Sequence, residues 1–309
     1  MNQRNSGTKS LLGLGLPAML LLCVPMASPL SGQESTSEEP VVESTIGPQT
    51  EEDAAQAGAL AKAAQNPIAA MVSLPFQYNV NSGVGEFERR QSVVNVQPVI
   101  PFKLGEGGAN LITRAIIPLT SIPIGETDSV FGIGDIQWTG WYSPKARGGL
   151  SYGIGGQVNL PLASNEEILG SGKVSAGPSA VFFYGTGNWT LGAVASNVWS
   201  ITSSKGNKDR EDVNFFFAQW FVNYNLGHGL ALGTGPIVTC DWEYETMEGV
   251  DDDQCTFPLG LQISKVTFAG SQPLNILLGY YENVYHPIAG AESQFRLQVN
   301  FMFPIKPKK

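Results

Sequence analysis

The chain has 309 residues, a formal net charge of -9, three cysteines and two histidines; 15% of it is charged, and it carries 36 glycines and 20 prolines. An acidic chain with no basic stripe repels phosphates, which argues against nucleic acid as a partner. Abundant glycine with scattered proline and little charge suits a turn-rich β protein better than a helical bundle, and the length suffices for one barrel of roughly a dozen strands or for one or two soluble domains.

Residues 1–32 read as a signal peptide. Arg4 and Lys9 precede an apolar run from Leu11 to Val24, and the small residues Ala27, Ser28, Ser31 and Gly32 follow it. The run is about 14 residues, short of the roughly 20 that a membrane-spanning helix needs. Cys23 does not mark a lipoprotein, because Leu22 stands where such signals carry a small residue. No acid lies in the stretch, so its removal takes the charge from -9 to about -11. From Gln33 to Asp53 the chain turns to Ser, Pro, Thr and Glu, too apolar-poor to offset the entropy of ordering, which predicts a disordered, acidic periplasmic leader. Alanine propensity then predicts a short helix over Ala54 to Gln65, stopped by Asn66 and Pro67. It could cap a barrel, plug its lumen or fray. Leader and helix together occupy 33–66, and a basic tail occupies 305–309.

Between residues 67 and 304 no apolar run is long enough for a spanning helix, but segments of about ten residues alternate with period two. In Ser151 to Leu162, Tyr152, Ile154, Val158, Leu160 and Leu162 share one face, opposite Gly153, Gln157 and Asn159. In Ser92 to Phe102, Val94, Val96, Ile100 and Phe102 oppose Asn95 and Gln97, and at the chain end Phe295, Leu297, Val299, Phe301 and Phe303 alternate with Arg296, Gln298 and Asn300. Less regular segments run near 69–80, 109–121, 131–143, 174–184, 189–200, 213–225, 230–242, 255–267 and 273–285. The total is about twelve strands, an even number as bacterial barrels show. The expected fold is all-β, an antiparallel transmembrane β-barrel.

The connections alternate in length. Short ones are GEGG near Gly105, KARGG near Lys145, YGTGN near Gly185, LGHG near Gly227 and AGSQ near Gly270; longer polar ones are NSGVGEFERRQ, SIPIGETDSV, ASNEEILGSGK, TSSKGNKDRED and EYETMEGVDDDQ. Short periplasmic turns and long external loops are what an outer-membrane barrel with both termini in the periplasm requires, whereas a soluble sandwich or lipocalin-like barrel has no reason to sort them. The faces opposite the apolar ones carry amides, Ser and Gly rather than Lys and Glu, which suits a hydrated lumen better than a soluble surface. Trp138, Trp141, Tyr142, Tyr184, Trp189, Trp199, Trp220, Tyr224, Trp242 and Tyr285, near strand ends, fit interfacial girdles; ordinary core packing is the plainer alternative.

The runs LAKAAQNPIAAMVSLPFQYN, NVQPVIPF, LITRAIIPL, GIGDIQWTGWYSP, LGSGKVSAGPSAV, QWFVNYNL and FRLQVNFMFP resemble bacterial outer-membrane proteins labelled "transporter", sometimes "neuromedin U", a group similar to the family of the MetA-pathway of phenol degradation. The resemblance covers about residues 60–304. It implies a barrel and transport of small solutes, hydrophobic or aromatic compounds among them. The chain departs from the common barrel ending, since PIKPKK follows Phe303.

Catalytic motifs fail on inspection. GSGK at Gly170 to Lys173 is followed by Val174 where a phosphate loop needs Ser or Thr, and GIGG at Gly153 sits in a strand with no helix after it. His228 and His286 fall at opposite ends of the expected barrel, too far apart to share a metal. A hydrolase would need His286 to activate Ser293 beside Glu282 and Asn283, but a loop histidine in solvent is the plainer reading. The acidic run within Glu243 to Asp253, with Glu245, Glu248, Asp251, Asp252 and Asp253, has hard ligands for Ca²⁺, yet more often such a run is a solvated loop. No metal site, cofactor or enzymatic activity is assigned.

Polar residues on inward faces are better candidates, because a charge facing lipid costs about 2–4 kcal/mol near the midplane. These are Arg114, Asp135, Gln137, Gln157, Asn159, Gln219, Asn223, Arg296 and Gln298, as pore lining or as struts that keep the barrel shut. Arg114 and Asp135 are expected to pair across a hairpin whose tip lies near Glu126. Cys240 and Cys255 flank the acidic loop at strand ends, and in an oxidising compartment are expected to form a disulfide. The function read from all this is a passive channel for small solutes, with a sealed structural or adhesion barrel as the alternative and an embedded hydrolase a distant third. Its partners would be outer-membrane lipid, lipopolysaccharide and the barrel-assembly machinery. A protease added to intact cells should then cut within Lys205 to Asp212 and spare Lys145 to Gly148; cleavage at Arg147 in unbroken cells would invert the topology.

Overall fold

The structure is a computed structural model that describes residues 51–203, 210–244 and 253–304. The expected signal peptide, most of the leader, much of the acidic loop and the basic tail lie outside the described residues. After one helix, α1 (Glu51–Gln65), come β1 (Val72–Val84), β2 (Arg89–Val96), β3 (Val99–Leu104), β4 (Ala109–Ile124), β5 (Asp128–Ile133), β6 (Ile136–Ser143) and β7 (Leu150–Leu160). A single helical turn, α2 (Glu166–Leu169), precedes β8 (Lys173–Thr186), β9 (Trp189–Ser203), β10 (Asn214–Gly227), β11 (Leu230–Thr234), β12 (Ile237–Asp241), β13 (Cys255–Ala269), β14 (Gln272–Tyr285) and β15 (Ser293–Phe303).

Three strands are interrupted, so β2 with β3, β5 with β6 and β11 with β12 each act as one stave, and the fifteen segments make a closed antiparallel barrel of 12 strands. Two breaks fall at Gln97–Pro98 and Gly235–Pro236, where proline has no N–H for the ladder. Closure comes from two long pairings, β1 with β15 and β9 with β10.

Alternation explains the two surfaces. Ile154 (67% exposed) and Leu261 (66%) point outward, together with Tyr152, Leu259, Leu278, Tyr280 and Phe295. So continuous an apolar exterior is unstable in water and suited to lipid, where a closed barrel satisfies every backbone group. Trp138, Tyr142, Trp189 and Trp199 are also exposed, but Trp141 departs from the expected girdle: it is 0% exposed and turned inward, on the face of Thr139 and Ser143.

The rims also differ from expectation in one respect. One carries only tight connections, at 105–108, 144–149, 187–188, 228–229 and 270–271. The other holds the long connection at 161–172 and the ends of β9, β10, β12 and β13 that flank stretches outside the described residues, but the expected long loops NSGVGEFERRQ and SIPIGETDSV are mostly strand. There β1, β2, β4 and β5 continue outward and turn tightly, with Ile124 opposite Asp128. Arg89 replaces solvent at the second tip, donating to the carbonyls of Ile124 (3.2 Å) and Gly125 (3.1 Å) and to that of Asp128. The far edge of β5 is covered by the 161–172 loop, through Ser164 N to Ile133 O (2.9 Å). Cys240 and Cys255 lie opposite each other, Cα atoms 4.1 Å apart, joined by a disulfide at the base of the acidic loop. Constraining a loop of this length contributes about 3 kcal/mol against the open chain.

The helix begins at Glu51, earlier than alanine content alone predicts, consistent with an acidic residue being favoured in a first turn. Its Ala57, Leu60 and Ala61 bury against Met71, Val266 and Met302, which places it across the short-turn rim. Lys62 Nζ donates to Gly187 O in the β8–β9 turn (2.7 Å), Gln65 Nε2 donates to Asn225 Oδ1 (3.0 Å), and Thr190 Oγ1 donates to Gln65 Oε1. Of the three roles the sequence leaves open, capping is the one the contacts describe.

Candidate functional site: the barrel lumen

The inner wall has two chemical halves. Ile68, Val99, Ile112, Trp141, Val181 and Val194 form a buried apolar cluster under β3, β4, β6, β8 and β9. Trp141 Nε1 donates to Ser179 Oγ (2.9 Å), and the Arg114 guanidinium lies over its ring, 5.2 Å from the centroid. The facing half, from β1 and β10 through β15, is built of amides. Gln97 Nε2 donates to Gln77 Oε1 (3.3 Å), Gln77 Nε2 to Asn79 Oδ1 (3.2 Å), and Gln262 Nε2 to Asn223 Oδ1 (3.0 Å).

The break at Pro236 supplies the anchor of this half. It frees the Gly235 carbonyl from the ladder, and Arg296 Nη1 donates to it (2.9 Å) while Nη2 donates to Gln294 Oε1 (2.8 Å). Arg296 stacks on Tyr281, 4.7 Å from the ring centroid, and Tyr281 OH donates to Gln262 Oε1 (2.8 Å). Between the halves lies a cavity of about 160 Å³, bounded at one end by Ala63 to Pro67 after and within the last turn of α1. Pockets that enclose drug-sized ligands run to roughly 300–1,000 Å³, so this one admits water and small solutes.

Of the residues singled out from sequence, Arg114, Gln219, Asn223, Arg296 and Gln298 line this cavity. Gln157 and Asn159 do not: Gln157 accepts from Ser196 Oγ (2.8 Å) and donates to Asn159 Oδ1 (3.0 Å), a strut along β7 and β9. Gln137 stands opposite Asn159 and Ile116 in the ladder, off the cavity.

The expected Arg114–Asp135 pair is absent. The hairpin turns at Gly125–Thr127 with Leu119 opposite Ile133, Gly134 N still donates to Pro118 O (2.9 Å), and Asp135 then leaves the ladder. That bulge adds a residue before β6 resumes with Gln137 opposite Ile116, so Arg114 faces Thr139. Asp135 instead accepts from Ser171 N (2.7 Å), Ser171 Oγ (2.8 Å) and Ala163 N (3.3 Å), pinning the 161–172 loop. Near it, Lys173 Nζ bridges Asp212 Oδ1 at 2.7 Å, and Lys173 and Ser200 hold the Asp212 carboxyl below its usual range.

Sequence reasoning missed Gln77, Gln97, Gln262, Asn275 and Asn300 as cavity lining. Alternation carried the signal for three of them: Gln97 and Asn300 stand on the polar faces of Ser92 to Phe102 and of the last strand, and Gln77 on that of Pro75 and Asn79; Gln262 and Asn275 sit in segments whose alternation is diluted by glycine and proline.

The architecture is the porin-like β-barrel of outer-membrane channels. The chain belongs to the family of the MetA-pathway of phenol degradation, whose model matches residues 63–244. No curated protein matches it in sequence. Among solved structures, an outer membrane channel from Pseudomonas putida F1 is similar at a TM-score of 0.56 and 14% identity, covering 75% of this chain and 94% of that one. The NanC porin (TM-score 0.46, 11% identity, 76% and 100% covered) and outer membrane phospholipase A from Escherichia coli (0.42, 10%, 75% and 90%) are more distant. At these identities the likeness is one of fold.

Because Asp135 serves the loop and not the cavity, Asp135→Ala should cost roughly 1.5–3 kcal/mol, the range for hydrogen bonds to a charged group. It should speed proteolysis of residues 161–172 while leaving ion selectivity in a bilayer unchanged. A selectivity shift as large as that of Arg114→Gln would return Asp135 to the pore.

Proposed function

We propose that the protein is a passive outer-membrane channel or facilitator for small solutes, small aromatic compounds among them, as the family's description suggests. The observation that carries this reading is the pairing of an apolar, lipid-suited exterior with an amide- and arginine-lined cavity inside a closed barrel. In this reading the long-loop rim faces outward, the rim crossed by α1 faces the periplasm, and lipid and lipopolysaccharide contact the outer wall after insertion by the assembly machinery. The helix holds the short-turn rim through three side-chain hydrogen bonds and a small patch of alanine, leucine and methionine, a latch of modest strength. A non-enzymatic role fits the loop histidine: His286 Nδ1 lies 2.9 Å from Pro287 O, Ser293 is paired with Ser82 and Glu282, and no described hydrogen bond joins the two.

A sealed barrel is the second reading, favoured by the apolar cluster around Trp141 that fills one side of the lumen. Single-channel recording in planar bilayers separates the two. The full mature chain should show small or intermittent conductance, and removal of the segment through Gln65 should raise it severalfold. Silence from both forms, with folding verified by heat-modifiable gel mobility, would favour the sealed barrel.

A further inference from the structure

Arg114 is half-buried on the lumen face, yet it donates no hydrogen bond to any described residue, and its Nε, itself buried, is left without a partner. The Trp141 ring lies beneath its guanidinium. Arg296 keeps two acceptors but its Nε is also unpartnered. Both line the same cavity, and no carboxylate stands among the described residues around it. Two guanidinium charges lining one cavity, without a counter-charge among its described lining, repel each other and, most of all at buried Arg296, bear a desolvation cost that a protein ordinarily offsets by pairing. The Asp135 that could have neutralised Arg114 is committed to Ser171 and Ala163.

We propose that this cavity is a binding site for a small organic carboxylate. The guanidinium fork presents donors in the plane and spacing that a carboxylate accepts, stronger than neutral hydrogen bonds. The rings of Trp141 and Tyr281 stack on the arginines and so restrict their planes, which lowers the entropy lost on binding. Gln97, Gln219 and Gln262 add amide donors around the cavity, while Val99, Phe221 and Leu277 give it apolar wall for a hydrocarbon body. The cavity volume, about 160 Å³, restricts the ligand to a compact acid. A single-ring aromatic acid combines the anionic head with the apolar body that this wall accommodates.

The inference deepens the channel reading by naming a solute class, but it is tested at equilibrium and not by conduction. Benzoate binding to the full mature protein in detergent, followed by isothermal titration calorimetry, should be saturable and weakened by rising chloride. Benzyl alcohol, which has the ring without the charge, should bind at least about tenfold more weakly, the factor that a charged hydrogen-bonded contact supplies. Arg114→Gln and Arg296→Gln should each reduce benzoate affinity about tenfold, and Arg114→Lys, which keeps charge but loses the fork, by less. Should a glutamine variant fail to fold, the benzoate and benzyl alcohol comparison on the unaltered protein still decides. Absence of benzoate binding, equal binding of the alcohol, or unchanged affinity in folded Arg114→Gln and Arg296→Gln would overturn the proposal. A protein that binds benzoate without conducting loses the channel reading alone, and one that conducts without binding it loses only this proposal.

Discussion

Closure of the sheet is the constraint from which the rest follows. Eleven paired positions, from Trp199 opposite Asn214 to Trp189 opposite Tyr224, join β9 to β10, and a matching ladder joins β1 to β15. With no free edge along the wall, backbone groups are satisfied by neighbouring strands, and the exterior is released to be as apolar as lipid demands. The same closure fixes which side chains are inside. Once Gln77 lies opposite Gln298 and Asn95, all three share the lumen face and the odd and even positions of each strand have no choice left.

The lumen's chemistry arises where the ladder is interrupted. Proline at 236 frees the Gly235 carbonyl, and Arg296 is drawn to it; the irregularity at Gly134 and Asp135 turns a carboxylate away from the cavity and toward a surface loop. These two local departures from regular strand leave a net positive interior walled by amides, beside a dry cluster centred on Trp141. At the short-turn rim α1 adds a third departure, an alanine-rich helix whose small side chains allow close approach to Met71 and Met302.

Much of this was legible in the sequence. Period-two alternation located every stave, with ends shifted by a few residues, because a lumen and a lipid phase impose opposite polarity on successive side chains. Register was less legible. The tip near Glu126 is where the hairpin turns, but an unbroken ladder from that turn sets Arg114 opposite Trp138, and the extra residue at Gly134–Asp135 moves its partner to Thr139, so neither register brings it to Asp135. Trp141 stands beside the outward Trp138 and Tyr142 in sequence, but it shares the parity of Thr139 and Ser143, and that parity turns it to the lumen and away from the expected girdle. Loop lengths misled at Gly85 and Gly125, where polar residues continue as strand beyond the membrane zone because hairpin pairing persists in water once Arg89 caps the tip. Where α1 docks depends on contacts far apart in sequence, such as Lys62 with Gly187, that no local pattern encodes.

A cavity lined by two arginines, with no carboxylate among the described residues around it, has a direct electrical consequence for a channel. An enclosed charge with low-dielectric walls around it raises the local concentration of counter-ions, so small anions should cross more readily than small cations. The measurement is the reversal potential of the unaltered protein in a planar bilayer under a potassium chloride gradient. A potential displaced toward the chloride equilibrium value is the result expected; one displaced toward the potassium value would contradict the account.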